Sequence, residues 1–163
     1  NSTMARYWVL MVIFLLMSHI GFNQTLRGFT LPDINNQHVN FNEVKGEKLT
    51  VIDFWATWCK PCMKAIPKLS RLSSKYRSKG VQFIGINGDG PRNMAKVGPL
   101  TRALQIDYLV LLDPDLTIFQ DLNVSTFPTL LILNENNEII WRHEGFLEGD
   151  ERLIEEAILN NLQ

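Results

Sequence analysis

Thr50–Pro67 reads TVIDFWATWCKPCMKAIP, and two periods meet inside it. Val51, Ile52, Phe54 and Trp55 form the apolar, partly β-branched run of a strand buried on both faces. Past Cys59-Lys60-Pro61-Cys62, the residues Met63, Ile66, Leu69, Leu72 and Tyr76 recur every three or four positions, the stripe of an amphipathic helix. The chain's two cysteines therefore stand where a strand gives way to a helix. A helix start leaves backbone N–H groups unpaired and carries partial positive charge, which favours a thiolate over a thiol. Cysteines three apart are neighbours on one turn and can close a small disulfide. Pro61 suits the first turn, where the N–H it lacks would have no intrahelical partner, and Lys60 adds positive charge. Cys59, at the exposed edge of the turn, reads as the nucleophile, and Cys62, one turn inward, as the resolving thiol.

Other uses of the cysteines fit less well. A tetrahedral zinc site needs further Cys or His ligands, and no second close pair exists. A disulfide closing so short a loop removes little chain entropy, so stability alone is a poor reason for it. Asp53 lies six residues before Cys59, inside the strand. Among Val51, Ile52, Phe54 and Trp55 its carboxyl should be desolvated, which raises its pKa and suits it to proton exchange with a thiol. The bland alternative is an aspartate at a strand end, solvated or hydrogen-bonded.

DFWATWCKPC with Pro67 resembles the active-site segment of the thioredoxin superfamily. With FTLPDINNQ at Phe29–Gln37 and an export-like N-terminus, the chain most resembles the TlpA/ResA-like exported thiol–disulfide oxidoreductases. The likeness runs from about Phe29 to the C-terminus. It implies a thioredoxin-like α/β/α sandwich with a central mixed sheet and a short N-terminal β extension. It also implies a protein-disulfide reductase with no cofactor beyond the Cys59–Cys62 redox disulfide, fed by a membrane thiol electron donor, with cytochrome c maturation as a client pathway. In the thioredoxin pattern the residue matching Asp53 is a buried aspartate that helps deprotonate the second cysteine. The ResA-like pattern has asparagine there and a glutamate three residues past the second cysteine, where this chain has Ala65. Asp53 is therefore expected to take over as the base for Cys62.

Phe127-Pro128-Thr129 matches the cis-proline loop that faces the cysteines in this family. A bare X-Pro bond is trans in all but about 5–6% of cases, so only the resemblance argues for cis. Phe127 would then lie where a client backbone pairs, and its bulk would restrict what docks. Trp58 offers an apolar landing surface beside Cys59, or merely packs, and with Lys60, Pro61, Phe127 and Pro128 completes the expected client-binding set. No metal ligands are expected. An oxidant of secreted thiols, or a copper or zinc carrier on the same fold, are the alternatives. Copper carriers of this kind place three residues between their cysteines, where this chain has two. A peroxidase would show a different pattern around its cysteine.

The remaining sequence agrees with one exported domain. At 163 residues and 45% hydrophobic, the chain can bury one core, and 16 basic against 17 acidic residues give no surface for nucleic acid. No nicotinamide or flavin fingerprint appears. Arg6 followed by the apolar run Tyr7–Met17 reads as an export signal at residues 1–22, either cleaved or kept as a membrane anchor. The run is shorter than the roughly 18 residues of a full span, but no good cleavage site follows it. Residues 23–28 read as a linker and 29–163 as the domain, an extracytoplasmic monomer acting on protein thiols and disulfides. Phe29–Pro32 and His38–Phe41 predict a hairpin, Val81–Ile86 and Tyr108–Leu112 further strands, and Thr129–Leu133 with Glu138–His143 a second hairpin. Helices are predicted within Arg92–Leu104, over Leu116–Asp121, and from an Asp150 N-cap with Leu153, Ile154, Ala157 and Ile158 inward. Asn87-Gly88-Asp89-Gly90 lacks the other ligands of a calcium loop and reads as a turn. Trp141 and His143 read as packing of the last strand.

Overall fold

The computed structural model describes residues 24–162, so the expected export segment lies outside the described residues. At its centre is the predicted strand, β3 (Leu49–Trp55), with all seven residues buried. β3 runs parallel to β4 (Val81–Asn87) on one side and antiparallel to β6 (Thr129–Asn134) on the other. β5 (Leu109–Leu112) and β7 (Ile139–Glu144) are the edges, giving a mixed five-stranded order β5-β4-β3-β6-β7. A small hairpin, β1 (Thr30–Pro32) with β2 (His38–Asn40), precedes it as expected. Its turn closes on Asp33, whose Oδ1 accepts from the backbone N–H of Asn35 and Gln37 at 2.8 and 2.9 Å.

Helix placement follows from handedness. The β3–α2–β4 and β4–α3–β5 crossovers step the same way across the sheet, so right-handed connections put α2 (Lys60–Tyr76) and α3 (Met94–Ala103) on one face. Packing agrees: Cys62 and Ile66 of α2 share a cluster with Val97 of α3, Val110 of β5 and Trp55 of β3. The last helix, α5 (Asp150–Asn161), covers the same face, joining Ile154, Ala157 and Ile158 to Leu69, Leu72 and Tyr76. The opposite face is closed by the hairpin, the single turn α1 (Phe41–Val44) and α4 (Thr117–Asp121), around Ile52, Phe54, Ile84, Ile86 and Phe119. The alternation of β3 thus sends Ile52 and Phe54 one way and Val51, Asp53 and Trp55 the other, beneath α2.

Some expectations change in detail. Residues 24–26 are not free linker: Leu26 is buried, its N–H donates to the Asn137 carbonyl, and Thr25 bridges Glu138. Apolar burial of one leucine is enough to recruit the segment. The helix predicted within Arg92–Leu104 is α3, and it runs through Gly98 and Pro99. Gly149, at φ 99°, is the N-cap of α5, and Asp150 is the first helical residue. Its carboxylate instead accepts from the Leu147 N–H at 2.7 Å and meets His143 Nε2 at 3.0 Å, giving His143 a partner the sequence did not show. Leu153 is exposed, whereas Ile154, Ala157 and Ile158 are buried.

Candidate active site

The polypeptide leaves β3 at Trp55, crosses Ala56-Thr57-Trp58 and enters α2 at Cys59. Cys59 is the N-cap: its sulfur accepts from the Cys62 backbone N–H at 3.2 Å, the role a serine or aspartate oxygen plays elsewhere. Pro61 sits in the first turn, as expected. Cys59 and Cys62 are joined as a disulfide with Cα atoms 5.3 Å apart. The sequence placed Cys59 at an exposed edge, yet it is only 4% exposed, while Cys62 is fully buried. Both sulfurs belong to the apolar cluster of Trp55, Ala56, Ile66, Val97 and Val110, against which Phe127 packs. Trp58 is what protrudes, 60% exposed directly beside Cys59.

Two loops meet here. The Trp58 ring lies edge-on to Phe127 with centroids 5.1 Å apart. Phe127 then meets Phe119 at 5.3 Å, and Phe119 meets Phe54 at 4.9 Å. This row of rings ties the surface beside Cys59 to the core of the opposite layer. The Phe127–Pro128 bond is cis, as the resemblance implied, and Pro128 is buried behind Phe127. The Pro128 carbonyl accepts from the Gly145 N–H at 2.7 Å, and Thr129 Oγ1 donates to the Thr126 carbonyl at 2.7 Å. The structure therefore gathers Trp58 and Phe127 into one surface at the edge of Cys59, with Cys62 buried beneath. Lys60 and Pro61 are exposed on its rim.

Asp53 is fully buried, in register with Gly85 of β4 and Leu130 of β6. Burial pushes its pKa up to about 7, and the hydrogen bond from Tyr108 pulls the other way. The Tyr108 hydroxyl donates to Oδ2 at 3.0 Å. Oδ1 has no hydrogen-bond partner among the described residues. Tyr108 is itself buried, and its pKa is raised well above 10.0, by burial first and then by the Asp53 charge, so it remains a donor across the physiological range. The carboxyl lies between the cluster around Trp55, Cys59 and Cys62 and the cluster around Val51, Leu69 and Tyr76. Sequence reasoning found Asp53 and missed Tyr108, which read as the first residue of a strand.

A second buried carboxylate was also missed. Asp89, assigned to a turn, is fully buried behind the active-site loop. Its Oδ2 accepts from the Thr57 N–H at 2.7 Å and from Asn87 Nδ2 at 2.8 Å, and its Oδ1 from Thr57 Oγ1 at 2.7 Å. The turn also fixes Trp55, whose carbonyl accepts from the Gly88 N–H at 2.9 Å. Asn-Gly-Asp-Gly is turn chemistry locally, and only the parallel pairing of Trp55 with Asn87 aims it at Thr57. Asp89→Ala leaves three donors unpaired in the interior and is expected to lower the unfolding free energy by about 3 kcal/mol, read by urea unfolding. An unchanged midpoint would refute this role.

Among the described residues no three His, Cys, Asp or Glu side chains stand close enough to hold a metal ion. Nor is any described helix long and apolar enough to cross a membrane.

The family model described as AhpC/TSA matches residues 22–142, most of the chain and all of the site. The chain belongs to the AhpC/TSA family. Within the reach of this AhpC/TSA chain, the thiol–disulfide oxidoreductase ResA of Halalkalibacterium halodurans is 27% identical over 128 residues, 78% of this chain and 70% of that protein. ResA of Bacillus subtilis is 29% identical over 112 residues, 69% of this chain and 61% of that protein. The chain thus spans 61% to 70% of the length of these two curated relatives. Among solved structures, one described as a thiol:disulfide interchange protein DsbE from Chlorobium tepidum superposes with TM-score 0.78 at 26% identity, covering 86% of this chain and 97% of that one. A thioredoxin-like protein from Porphyromonas gingivalis gives TM-score 0.71 at 29% identity, over 84% and 91%. The thioredoxin-like fold and the kinship with ResA-type proteins expected from the sequence are thereby found.

Proposed function

We propose that this chain is an extracytoplasmic protein-disulfide reductase working through Cys59 and Cys62. Its class as a thiol–disulfide oxidoreductase rests on a bonded cysteine pair at a helix N-terminus and on relatives that carry that name. The observation that carries the mechanism is the buried carboxyl of Asp53, held on the sheet face that α2 covers.

The reduced protein begins the cycle. The α2 N-terminus favours the Cys59 thiolate, which attacks one sulfur of a client disulfide. A Cys59–client disulfide forms, the client bond breaks, and the departing client sulfur takes up a proton. Cys62 then gives its proton to the Asp53 carboxylate and attacks the Cys59 sulfur. The Cys59–Cys62 bond forms, the second client sulfur leaves and is protonated, and two electrons have passed from protein to client. Trp58 and Phe127 form the apolar landing surface, with Lys60 and Pro61 on its rim and Pro128 buried next to Phe127. The resemblance supplies the rest of the route: electrons return from a membrane thiol carrier, and the N-terminal segment exports or anchors the domain. Apocytochrome c is the client to try first.

Equilibration of the full chain against glutathione tests the direction. A reduction potential near −270 mV, the thioredoxin end of the scale, is expected for a reductase. A value near −120 mV would overturn the reading and make the chain an oxidant of secreted thiols.

A further inference from the structure

Tyr108 belongs to neither cysteine nor client, yet its hydroxyl is the sole hydrogen-bond donor found on the Asp53 carboxyl among the described residues. Two strands away from Asp53, it reaches the carboxyl over Gly85. A methyl group at Gly85 would stand 3.2 Å from the Tyr108 ring and 3.1 Å from Trp55 Nε1, so the missing side chain is what lets the phenol approach. Oδ2 is thus occupied by Tyr108, and among the described residues Oδ1 has no partner in a fully buried site. An unpaired buried carboxyl oxygen is costly, and such atoms are rare outside functional sites.

We infer that Tyr108 is a positioning residue for proton transfer at the cysteine pair: by holding Oδ2 of Asp53, it leaves Oδ1 as the oxygen that takes the Cys62 proton. The inference rests on the proposed role of Asp53 as the base. The step is a plain proton transfer, in which the Cys62 S–H bond breaks, an Oδ1–H bond forms and no electrons are exchanged. The Tyr108 bond favours the ionised carboxylate and so keeps Asp53 able to accept. The groups around the carboxyl leave Tyr108 as the tuning partner. Register neighbours Gly85 and Leu130 carry no charge. α2 turns Cys62, Ala65, Ile66 and Leu69 inward, and α3 turns Val97 and Thr101. The other buried phenol of that layer, Tyr76, donates to Glu155 at the far end of α2.

The test follows a single turnover of the full chain, reduced and then mixed with a disulfide-bonded peptide, between pH 5 and 9.5. Tyr108→Phe is expected to move the inflection due to Asp53 alkaline by about one unit. The rate then falls about fivefold at pH 7 and meets that of the parent above about pH 9. In an Asp53→Asn background the same change should have no further effect. Two results overturn the inference while leaving the base in place. One is an inflection that Asp53→Asn removes but Tyr108→Phe does not move. The other is an equal slowing by Tyr108→Phe at every pH in both backgrounds, the mark of general damage. If Asp53→Asn keeps the inflection, the base reading itself falls and this inference with it. Should Tyr108→Phe fail to fold, the parent grown with 3-fluorotyrosine decides, since a more acidic phenol donates more strongly. The inflection should then move to lower pH, and an unmoved one overturns the inference.

Discussion

Cys62→Ser is expected to stop turnover while leaving the first attack intact, so that clients accumulate as covalent Cys59–client disulfides. The asymmetry comes from the structure. Cys59 caps α2 beside an exposed tryptophan at the edge of the Trp58–Phe127 surface, whereas Cys62 is wholly buried, bonded to Cys59 and packed with Trp55, Ile66 and Val97. Removing the buried thiol therefore blocks resolution and nothing before it. Cys59→Ser removes the nucleophile, and no adduct should form at all. Steady-state reduction of a disulfide peptide should fall at least about a thousandfold in either variant. Electrophoresis without reductant separates the two, with a client-sized shift in Cys62→Ser alone. A shift in Cys59→Ser would mean that the roles are reversed.

The second large effect concerns stability against pH. Asp53 carries a folded pKa of about 7 against an ordinary 3.8, so between those values the native state holds a proton that the unfolded chain has lost. The stability this proton contributes is complete below pH 3.8 and is lost as pH rises toward 7. At about 1.4 kcal/mol per unit, the loss amounts to about 4 kcal/mol. Asp113, raised by burial, changes in the same direction. Asp107, Asp150, Glu151 and Glu155 are lowered by their partners and matter only as pH falls below their ordinary values of 3.8 to 4.5. The oxidised parent is therefore expected to be most stable near pH 4.5–5 and to lose about 3 kcal/mol from there to pH 8, measured by urea unfolding. In Asp53→Asn most of that fall should vanish. A parent whose stability is flat from pH 5 to 8 would show that Asp53 is not held as described.

These two effects rest on residues that were legible in the sequence, for different reasons. The cysteines declare themselves by a change of period from strand to helix, a local signal that needs no tertiary knowledge. Asp53 declares itself by apolar neighbours on both sides. Tyr108 and Asp89 could not be found that way. Tyr108 stands 55 residues from its partner, and only the order β5-β4-β3, with Gly85 between, brings the two together. Asp89 looks like a turn residue because it is one, and its burial depends on the pairing of β3 with β4. Burial of Cys59 was misjudged because the cluster that encloses it draws on Val97 and Val110, remote in sequence. Spacing reports what a segment does within itself, and contacts across the sheet decide the rest.

Residues 24–33 carry a consequence of their own. This stretch bridges Glu138 beside β7 at one end and Leu111 of β5 at the other, touching both edges of the sheet. Exposed edges are templates on which another extended chain can add itself as a strand. A reductase whose clients are opened at their disulfides works among such chains. By tethering its own margins with its own backbone, this protein makes itself a poor seed for aggregation in that crowd, and what it offers a passing extended segment is the surface beside its sulfur atoms.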